Sequence, residues 1–589
     1  MNPVVTDEWK KYQAGKDYNE KLTPVDLYTT VDNNESFYAG DQWIGVSAKT
    51  DFDRVVVNIF KKVINFIVNS CLAFRTKLRF TPLLIGDNPE EGSTEEELLE
   101  MSKQITKYSD TLWERLKMDN LSRQALLDAA LSGDACAHLW WNKNIETGQI
   151  SAGDIDIELI DNVNVFFGNP HSSMVNHNGY AVQPYIIISK REMVGDLKEQ
   201  ATKNYENKHR QNKVKSMMDK NGGKLGEEEV KKIFGEAVTL TKDEKSNIEK
   251  ITSDKDDQYQ SGYRSKIDID NAGNEDGKAI SLTCYFKKDG TIWYKKVTKY
   301  ATICEEYNTK YRIYPIAWMN WDSRKNSYHG QALGTGIIPN QVMINKSYSA
   351  ISLWLRKMAL PTIIYDKGRI RKWNFNLGAA IGVESVDGPI SNSVYVLQPG
   401  QLGGMVLNCL QDIIANTKEM LGVSTVSLGE VDNPENTSAI KAVQKAGAIP
   451  IEGNRAAFYQ FHEDIGYIEL ELMSKHYGIR KVSTLDDSSK SRIITEIDFN
   501  RLSELPMQIK VDVGASSYWS ETADVVTLDN LLQNQYIDFE QYLEQIPDGV
   551  LSGRDTLLAQ VKEKLLAQAQ MQEQMPAENM QPQAMPQQM

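Results

Sequence analysis

The stretch Gly330-Gln-Ala-Leu-Gly-Thr-Gly-Ile-Ile-Pro339 begins the part of the chain that decides the fold, and this part ends near Gly478. Pro339 is typical of the first residue of a helix, where its missing N–H costs nothing. After it, apolar residues recur at steps of four and three, as on one face of a helix. They are Ile344, Tyr348, Ile351, Leu355 and Met358. We therefore predict a helix that starts at Pro339 and ends before Pro361.

Two runs rich in β-branched residues follow, at 362–365 and 393–397, and each predicts a short strand. A second helix is predicted after them by another apolar stripe. This stripe contains Val406, Leu410, Ile413, Thr417 and Met420. An acidic, turn-forming segment then leads to a long third helix, which Pro450 kinks because proline removes one backbone hydrogen bond. Beyond the kink, the 3-4 step of a helical apolar stripe continues with Phe458, Phe461, Ile465, Ile468 and Leu472. Read from periodicity alone, the whole stretch is an ordinary helical core with one β excursion.

Length and composition limit the possible classes of protein. The chain has 589 residues, which is more than one compact core, and its 41% hydrophobic and 25% charged content is ordinary for a globular protein. Its five cysteines are scattered, which fits a reducing compartment rather than a disulfide framework. We expect no signal peptide and no membrane span, since no run stays apolar for about 18 residues. A net charge of −14 argues against tight binding to DNA phosphates, but not against a protein that surrounds DNA.

The flanking parts predict a mixed, α+β class. Helices are expected at 54–77 and from Ser93 to Leu131, and strands at 137–141, 155–160, 185–188, 281–286, 291–294, 315–319 and 507–513. Asp154, Asp156 and Glu158 alternate along one strand and are expected to face solvent. The region 195–262 is strongly charged and is interpreted as helices in an outer insertion. The Gln-, Met- and Pro-rich tail at 568–589 is expected to be disordered.

Motifs for catalysis are not found. The glycines of 330–336 lack the Lys and hydroxyl residue of a phosphate-binding loop, and Asp268-x-Asp270 lacks the other ligands of a calcium loop. His462, Glu463 and Asp464 are neighbours on a predicted helix, where adjacent side chains point apart, so we expect them on the surface. We therefore predict a protein with no catalytic, cofactor-binding or metal-binding residues, and not an enzyme.

Several phrases together carry a resemblance to a known family. They are Pro339-Asn-Gln341, Asn345-Lys346-Ser347, Gly422-Val423, Leu428-Gly429, Asn436-Thr-Ser438 and the earlier Tyr38-x-Gly40-x-Gln42-Trp43. In this order they resemble the portal proteins of tailed bacteriophages, over about residues 38–566. The resemblance implies an α+β ring subunit with wing, helical stem, small β-containing clip, tunnel loop and helical crown.

Mapped onto this sequence, the resemblance implies the following division. The wing is 1–329, the stem helices are 330–357 and 404–421, the clip is 358–403, the tunnel loop is 422–437, the kinked helix and wing return are 438–519, and the crown is 520–567. The β pattern at 280–320 is an alternative clip. The stem residues are Ile344, Tyr348, Ile351, Leu355, Val406, Leu410 and Ile413, and the tunnel-loop residues are Glu430, Asp432, Asn433 and Glu435. A solvated turn on the outside is the alternative for this acidic loop.

The resemblance also implies partners and a location. Portal subunits form a ring of about twelve copies. The ring lies at one capsid vertex in the virion, after assembly in the host bacterial cytoplasm, and double-stranded DNA passes through it without sequence recognition. The implied partners are the terminase large subunit, the major capsid and scaffolding proteins, and neck or adaptor proteins, with no membrane. The alternatives are another neck or tail ring protein, or a DNA-packaging enzyme.

Overall fold

The computed structural model describes most of the chain. The described residues are 5–23, 25–43, 53–72, 76–83, 95–146, 153–220, 227–253, 277–358, 362–370, 372, 389, 394–397, 403–420, 451–485, 492–503, 507–513, 528–534, 536–546, 557–558 and 561. Contacts divide the chain into two compact units. The first comprises Met1–Leu72 and Leu78–Val511, and the second comprises Ala73–Lys77 and Asp512–Met589.

The N-terminal half contains both helices and strands, which come in short runs of each. The elements are α1 (Asp7–Lys21), α2 (Leu27–Ala39), α3 (Ile59–Cys71), β1 (Thr76–Pro82), α4 (Glu95–Arg115), α5 (Met118–Ser132), β2 (Asp134–Asn142), β3 (Asp154–Ile160), β4 (Val165–Phe167), β5 (Asn176–His177), β6 (Tyr180–Ala181), β7 (Tyr185–Met193), α6 (Val194–Lys220), α7 (Glu227–Gly235), α8 (Lys242–Glu249), β8 (Lys278–Lys288), β9 (Thr291–Val297), β10 (Thr302–Tyr311) and β11 (Ile316–Asn320). This mixture confirms the α+β class.

The C-terminal half begins with a helix, a β ribbon and a second helix. Its elements are α9 (Leu333–Met358), β12 (Thr362–Tyr365), β13 (Val394–Leu397), α10 (Gly404–Met420), α11 (Glu452–His476), β14 (Ile479–Leu485), β15 (Arg492–Asp498), β16 (Met507–Val513) and α12 (Phe539–Gln545). Strands β12 and β13 pair antiparallel, as do β14 and β15, and β1 pairs with β16. The predicted order of helix, small β module and helix is confirmed.

The two largest sheets lie in the first unit. One has five strands in the order β10-β9-β8-β7-β4, and the other has three in the order β11-β2-β3. Side chains of β7 alternate between the two faces of the larger sheet, as the period of a strand requires. Ile187 packs with Trp9 and Tyr12 of α1, whereas Ile186 and Ile188 belong to a separate apolar cluster. The larger sheet is therefore covered on both faces.

The main apolar core is organised around α11. Its predicted stripe is confirmed, since every member is buried: Phe458, Phe461, Ile465, Ile468 and Leu472. They pack with α3 and α5 and with β2 and β11 in one continuous cluster. Gly466 permits a close approach, because a Cβ atom there would lie 3.0 Å from Leu78 and 3.1 Å from Ile509. Helix α11 therefore joins parts of the chain that are far apart in sequence.

Two predicted helix boundaries are wrong. Helix α9 begins at Leu333, so Pro339 lies inside it rather than at its first position. Packing explains the earlier start, because Gly334 lies against Phe60 and Ile337 is buried in the main core. The helix expected at 54–77 spans only Ile59–Cys71. Asn58 caps it, since its side chain accepts the N–H of Lys61, and the described residues before it, from 53 onwards, are not helical.

The second unit is described only in part. Residues 528–533 are helical, and the Tyr542 hydroxyl of α12 donates to Asp529 at 2.5 Å. The sequence from Asp524 to Ile546 predicts short helices, and the two described helices agree with this. Most of the rest of the expected crown and the whole tail at 568–589 lie outside the described residues, as do residues 421–450 before α11.

Candidate functional site

The predicted stem residues lie on α9 and α10, and their exposure changes along the helices. Ile344 and Leu410 are buried. Tyr348, Ile351 and Ile413 are half-buried, whereas Leu355 is 54% exposed and Val406 is 46% exposed. The expected apolar stripes are therefore only partly covered within one chain.

Helices α9 and α10 pack against each other in opposite directions. The side-chain amide of Asn340, near the start of α9, donates to the Thr417 hydroxyl near the end of α10 at 3.1 Å. Thr417 is buried, and its hydroxyl donates to the Ile413 carbonyl of its own helix at 2.6 Å. Strands β12 and β13 lie between the two helices in sequence. The result is a helical hairpin with a β ribbon between its arms.

Large apolar side chains are exposed on this hairpin and its ribbon. They are Met343, Leu355, Ile364, Tyr365, Tyr395, Met405, Val406, Leu407 and Met420. The most exposed are Met405 at 85% and Met420 at 81%. A group of exposed apolar residues on adjacent elements is typical of a surface that another protein covers.

The predicted tunnel-loop residues are not described. Glu430, Asp432, Asn433 and Glu435 lie in the stretch 421–450, outside the described residues. Their position relative to the hairpin therefore stays a prediction.

The Tyr38-x-Gly40-x-Gln42-Trp43 phrase links α2 to α9. Gly40 ends α2 with φ 99°, a left-handed conformation that favours glycine. Gln42 is buried, and its side chain contacts both the Phe37 carbonyl at 2.9 Å and Asn345 of α9 at 2.5 Å. The sequence showed the phrase, but not that its polar residue bonds to a helix some 300 residues away.

A buried polar cluster joins β2 to the loop before α9. Asp134 and His329 are both fully buried, with Asp134 Oδ2 2.7 Å from His329 Nδ1. The carboxylate also accepts the Gly330 N–H at 2.7 Å and the Asn320 side-chain amide at 2.6 Å. A buried carboxylate needs such donors to offset its lost hydration. Sequence reasoning missed this pair, and the only local signal is that each residue adjoins a glycine, Gly133 or Gly330.

The carboxylates of β3 were predicted to face solvent, and the structure contradicts this prediction. Asp154 is buried, and it pairs with Arg115 at 2.6 Å and accepts the Tyr477 hydroxyl at 2.5 Å. Glu158 is half-buried; burial acts to raise its pKa, but hydrogen bonds from His138 and Lys190 hold the pKa below its usual value. The prediction was wrong because the partners come from distant elements.

Helix α11 carries ionisable groups inside the core, and the expected surface position of His462 is wrong. Burial lowers the pKa of His462 to about 3 and raises the pKa of Glu469 to about 8, so neither is charged at neutral pH. His462 Nε2 lies 2.9 Å from Ser122 Oγ, and Glu469 Oε2 lies 3.4 Å from Ser109 Oγ. Among the described residues, His462 Nδ1 and Glu469 Oε1 have no hydrogen-bond partner.

A cleft of about 460 Å³ lies beside the start of α11. It is lined in part by Trp321, Asp322, Ser323, Asn454 and Gln460. Burial raises the pKa of Asp322, although the hydrogen bond with Asn454 acts to lower it. In the described part of the chain, no group of three or more His, Cys, Asp or Glu side chains has the arrangement to hold a metal ion. No described helix has the length and hydropathy that crossing a bilayer requires.

Comparison with known proteins adds the remaining finding. A model of the phage P22-like portal protein family matches residues 25–589. No curated protein sequence matches the chain. The family match extends over almost the whole sequence. The chain therefore belongs to the family of phage P22-like portal proteins.

Proposed function

We propose that this portal protein assembles into a closed ring of about twelve copies, with the α9–α10 hairpin forming the inner, stem-like part. The family supports a phage portal function and is structural rather than catalytic. The observation that carries the proposal is the α9–α10 hairpin, whose apolar side chains remain exposed in one chain. In a ring, the hairpins of neighbouring copies stand side by side and cover these residues.

The ring places the chain at one vertex of the capsid in the virion, and it is assembled in the host bacterial cytoplasm. Double-stranded DNA enters through the channel during packaging and leaves through it during ejection. The net charge of −14 supports a channel that surrounds DNA without gripping it, since tight phosphate binding requires an excess of Lys and Arg.

We assign the subdomains from the position of the α9–α10 hairpin in the sequence. Residues 330–357 and 404–421 are the stem, 358–403 the clip and 422–437 the tunnel loop. The remaining parts are the wing (1–329), the kinked helix and wing return (438–519) and the crown (520–567). The β12–β13 ribbon supports 358–403 as the clip. The alternative, 280–320, is disfavoured because β8, β9 and β10 are strands of the five-stranded sheet in the body.

Polar substitutions on the hairpin test the ring interface. Replacing Met405 and Leu407 with Asp places two charges where the neighbouring hairpin packs, so mass photometry should show monomers instead of rings. The matched control replaces Met217 and Met218 of α6, which are also exposed apolar residues on a helix. The control should leave the rings intact. Rings of unchanged mass in the Met405/Leu407 variant would exclude this surface from the interface.

The acidic loop is assigned to the channel wall. Glu430, Asp432 and Glu435 give three carboxylates per subunit, with no basic residue between Gly422 and Asn436. Carboxylates repel phosphates over a screening distance of roughly 8 Å at physiological salt, so such a wall keeps DNA centred and free to slide. With Asn433 and Pro434, the loop has residues suited to a change of shape as DNA passes.

Charge reversal tests the loop assignment. The triple variant Glu430→Lys, Asp432→Lys and Glu435→Lys should form normal rings but package or retain DNA poorly. Normal packaging by this variant, at low as well as physiological salt, would place the loop away from DNA while leaving the ring proposal intact.

The partners follow from the position at the vertex. The terminase large subunit docks during filling, and neck or adaptor proteins dock afterwards, both at the clip end. The major capsid and scaffolding proteins contact the outside of the ring. Pull-down of purified terminase by wild-type rings, compared with rings whose exposed ribbon residue Tyr395 is replaced with Asp, tests the clip assignment. Equal recovery of terminase would move its docking site elsewhere.

A further inference from the structure

An extended segment lies along α9 before α3 begins. This segment, Asp53–Asn58, is here called the strap. Its backbone is not part of any sheet in the described structure. Side chains of α9 contact it instead, in the place where a neighbouring strand would normally be.

The contacts alternate along the strap and step by one turn along α9. The Val55 N–H donates to Ser349 Oγ at 3.2 Å, and the Val57 N–H donates to Asn345 Oδ1 at 3.2 Å. Just beyond the strap, Gln341 accepts the Phe60 N–H at 3.0 Å and donates to the Val57 carbonyl at 2.8 Å. The strap therefore runs opposite to α9 in direction.

The two periods match for a geometric reason. Four residues of helix rise about 6 Å, and two residues of extended chain rise about 6.6 Å. Polar residues at positions 341, 345 and 349 therefore lie opposite alternate groups of an extended backbone. The far end is held by Asp53, whose carboxylate accepts Ser352 Oγ at 2.7 Å and Arg356 Nη1 at 2.8 Å.

The strap meets the part of α9 that has left the apolar core. Ile337 belongs to the main core cluster and Ile344 is fully buried. Beyond Ile344, the buried side chains of α9 that the structure describes are those of Asn345 and Ser349. This part of α9 is thus held to the body by hydrogen bonds rather than by buried apolar residues.

We propose that the strap and residues 345–356 of α9 form a joint that opens and closes as one unit while the core stays folded. Hydrogen bonds between side chains and backbone exchange for bonds to water at little net cost, whereas separating an apolar core does not. When the joint opens, the C-terminal part of α9 is free to change its angle to the body. The joint rests on contacts within one chain and does not depend on the ring proposal.

Hydrogen exchange of the full-length protein tests the joint directly. Amides of residues 53–58 and 349–356 should exchange at a common rate that is at least about tenfold faster than that of α3, α5 and α11, as expected for a local opening. Strap amides that exchange as slowly as those of α5, or at a rate unrelated to that of residues 349–356, would overturn the proposal.

Two serines of α9 provide a matched pair of variants. Ser349→Ala removes the acceptor of the Val55 N–H, whereas Ser347 donates to the Met343 carbonyl of its own helix at 2.9 Å. Ser349→Ala should speed exchange in both the strap and residues 349–356 by about fivefold to tenfold, with α5 unchanged. Ser347→Ala should leave the rate of hydrogen exchange in the strap unchanged. Equal effects of the two variants, or faster exchange throughout the body, would contradict a separate joint.

An exposed pair gives a second test that does not involve a buried residue. Arg356→Gln removes the ion pair with Asp53, and Arg356 Nη1 is near the surface, so folding of the core is not at risk. Exchange in the strap should rise about twofold to threefold, and the difference from wild type should shrink at high salt. Unchanged strap exchange at low salt would show that the Asp53 end does not hold the joint.

Discussion

Helices α9 and α11 have nearly the same length, 26 and 25 residues, but very different surroundings. Buried residues occur along α11 from Arg455 to Ser474. In α9 the last buried side chain that the structure describes is that of Ser349, and Leu355 is 54% exposed. One helix is enclosed by its own chain, and the other emerges from it.

The comparison distinguishes the surfaces that one chain buries by itself from the apolar surfaces that it leaves exposed. Around α11, even ionisable side chains are enclosed, and their uncharged forms are tolerated inside the core. On α9 and α10, apolar side chains are exposed, and the residues that hold α9 to the strap are polar. In the proposed ring, the exposed apolar surface of α9 and α10 is the part that a neighbouring copy covers.

The largest effect is expected from a pair of truncations that compares the two helices directly. Phe461→Ala on α11 leaves a cavity in the main core and should lower the free energy of unfolding of the subunit by about 3–5 kcal/mol. Leu355→Ala on α9 removes an exposed side chain and should change it by less than about 0.5 kcal/mol. Urea unfolding at a protein concentration too low for assembly provides the measurement. Similar losses from both variants would mean that α9 is enclosed like α11.

The second test concerns the enclosed carboxyl of α11. Burial raises the pKa of Glu469 from 4.5 to about 8. As the pH rises, this carboxyl therefore ionises in the unfolded chain before it ionises in the folded chain. Its contribution to stability is complete below about pH 4.5 and is lost as the pH rises through 8, with a slope of up to about 1.4 kcal/mol per pH unit. Glu469→Gln should therefore flatten the decline of the unfolding free energy between pH 5 and 8.

A charge-matched variant controls that experiment. Glu419→Gln removes one carboxylate from the exposed end of α10 and should reproduce any effect of net charge alone. If Glu469→Gln and Glu419→Gln give the same pH profile, Glu469 is hydrated and the core around α11 is more open than described.

His462 gives the opposite dependence on pH. Burial lowers its pKa from 6.5 to about 3, so its contribution is complete above pH 6.5 and is lost as the pH falls toward 3. His462→Gln should flatten the acid side of the stability profile. It should remove a slope in the free energy of unfolding of up to about 1.4 kcal/mol per pH unit. Thermal unfolding between pH 4 and 7 checks this. A wild-type profile that is flat in this range would contradict the enclosure of His462.

The smallest effect on stability is expected at the hydrogen-bonded link between α2 and α9. Gln42→Ala removes the contacts with Asn345 and with the Phe37 carbonyl, and should lower the free energy of unfolding by about 1–2 kcal/mol. Urea unfolding measures it, with Gln411→Ala on exposed α10 as the control. A loss as small as that of the control would show that the link between α2 and α9 contributes nothing to stability.

Much of the fold follows from local pattern. Local pattern predicted strand 362–365 from its β-branched residues, strand 507–513 from its alternation and the buried stripe of α11 from its 3-4 step. Helices α1 and α2 and strand β10 were not predicted, since their sequences are polar and each is held by packing on the body. The polar strap contacts were also missed, because Gln341 and Asn345 read as ordinary polar positions in a striped helix.

The candidate site was predicted less completely than the fold. Ile344 and Leu410 were correctly placed on packed faces, but the exposure of Leu355 and Val406 reflects where the body ends, which no local pattern encodes. Asp154 and His462 were expected on the surface because a charged residue in isolation belongs there. Their partners, Arg115 and Ser122, come from distant helices that only the folded chain brings near.

The most direct test of the central claim is the mass of the assembled wild-type protein. Native mass spectrometry should show one dominant species near about 800 kDa, which corresponds to about twelve chains of 66.6 kDa in a closed ring. The species should persist on dilution, since each hairpin in a closed ring has both neighbours. Monomers or dimers alone, across a range of protein and salt concentrations, would contradict the ring and the role given to α9 and α10.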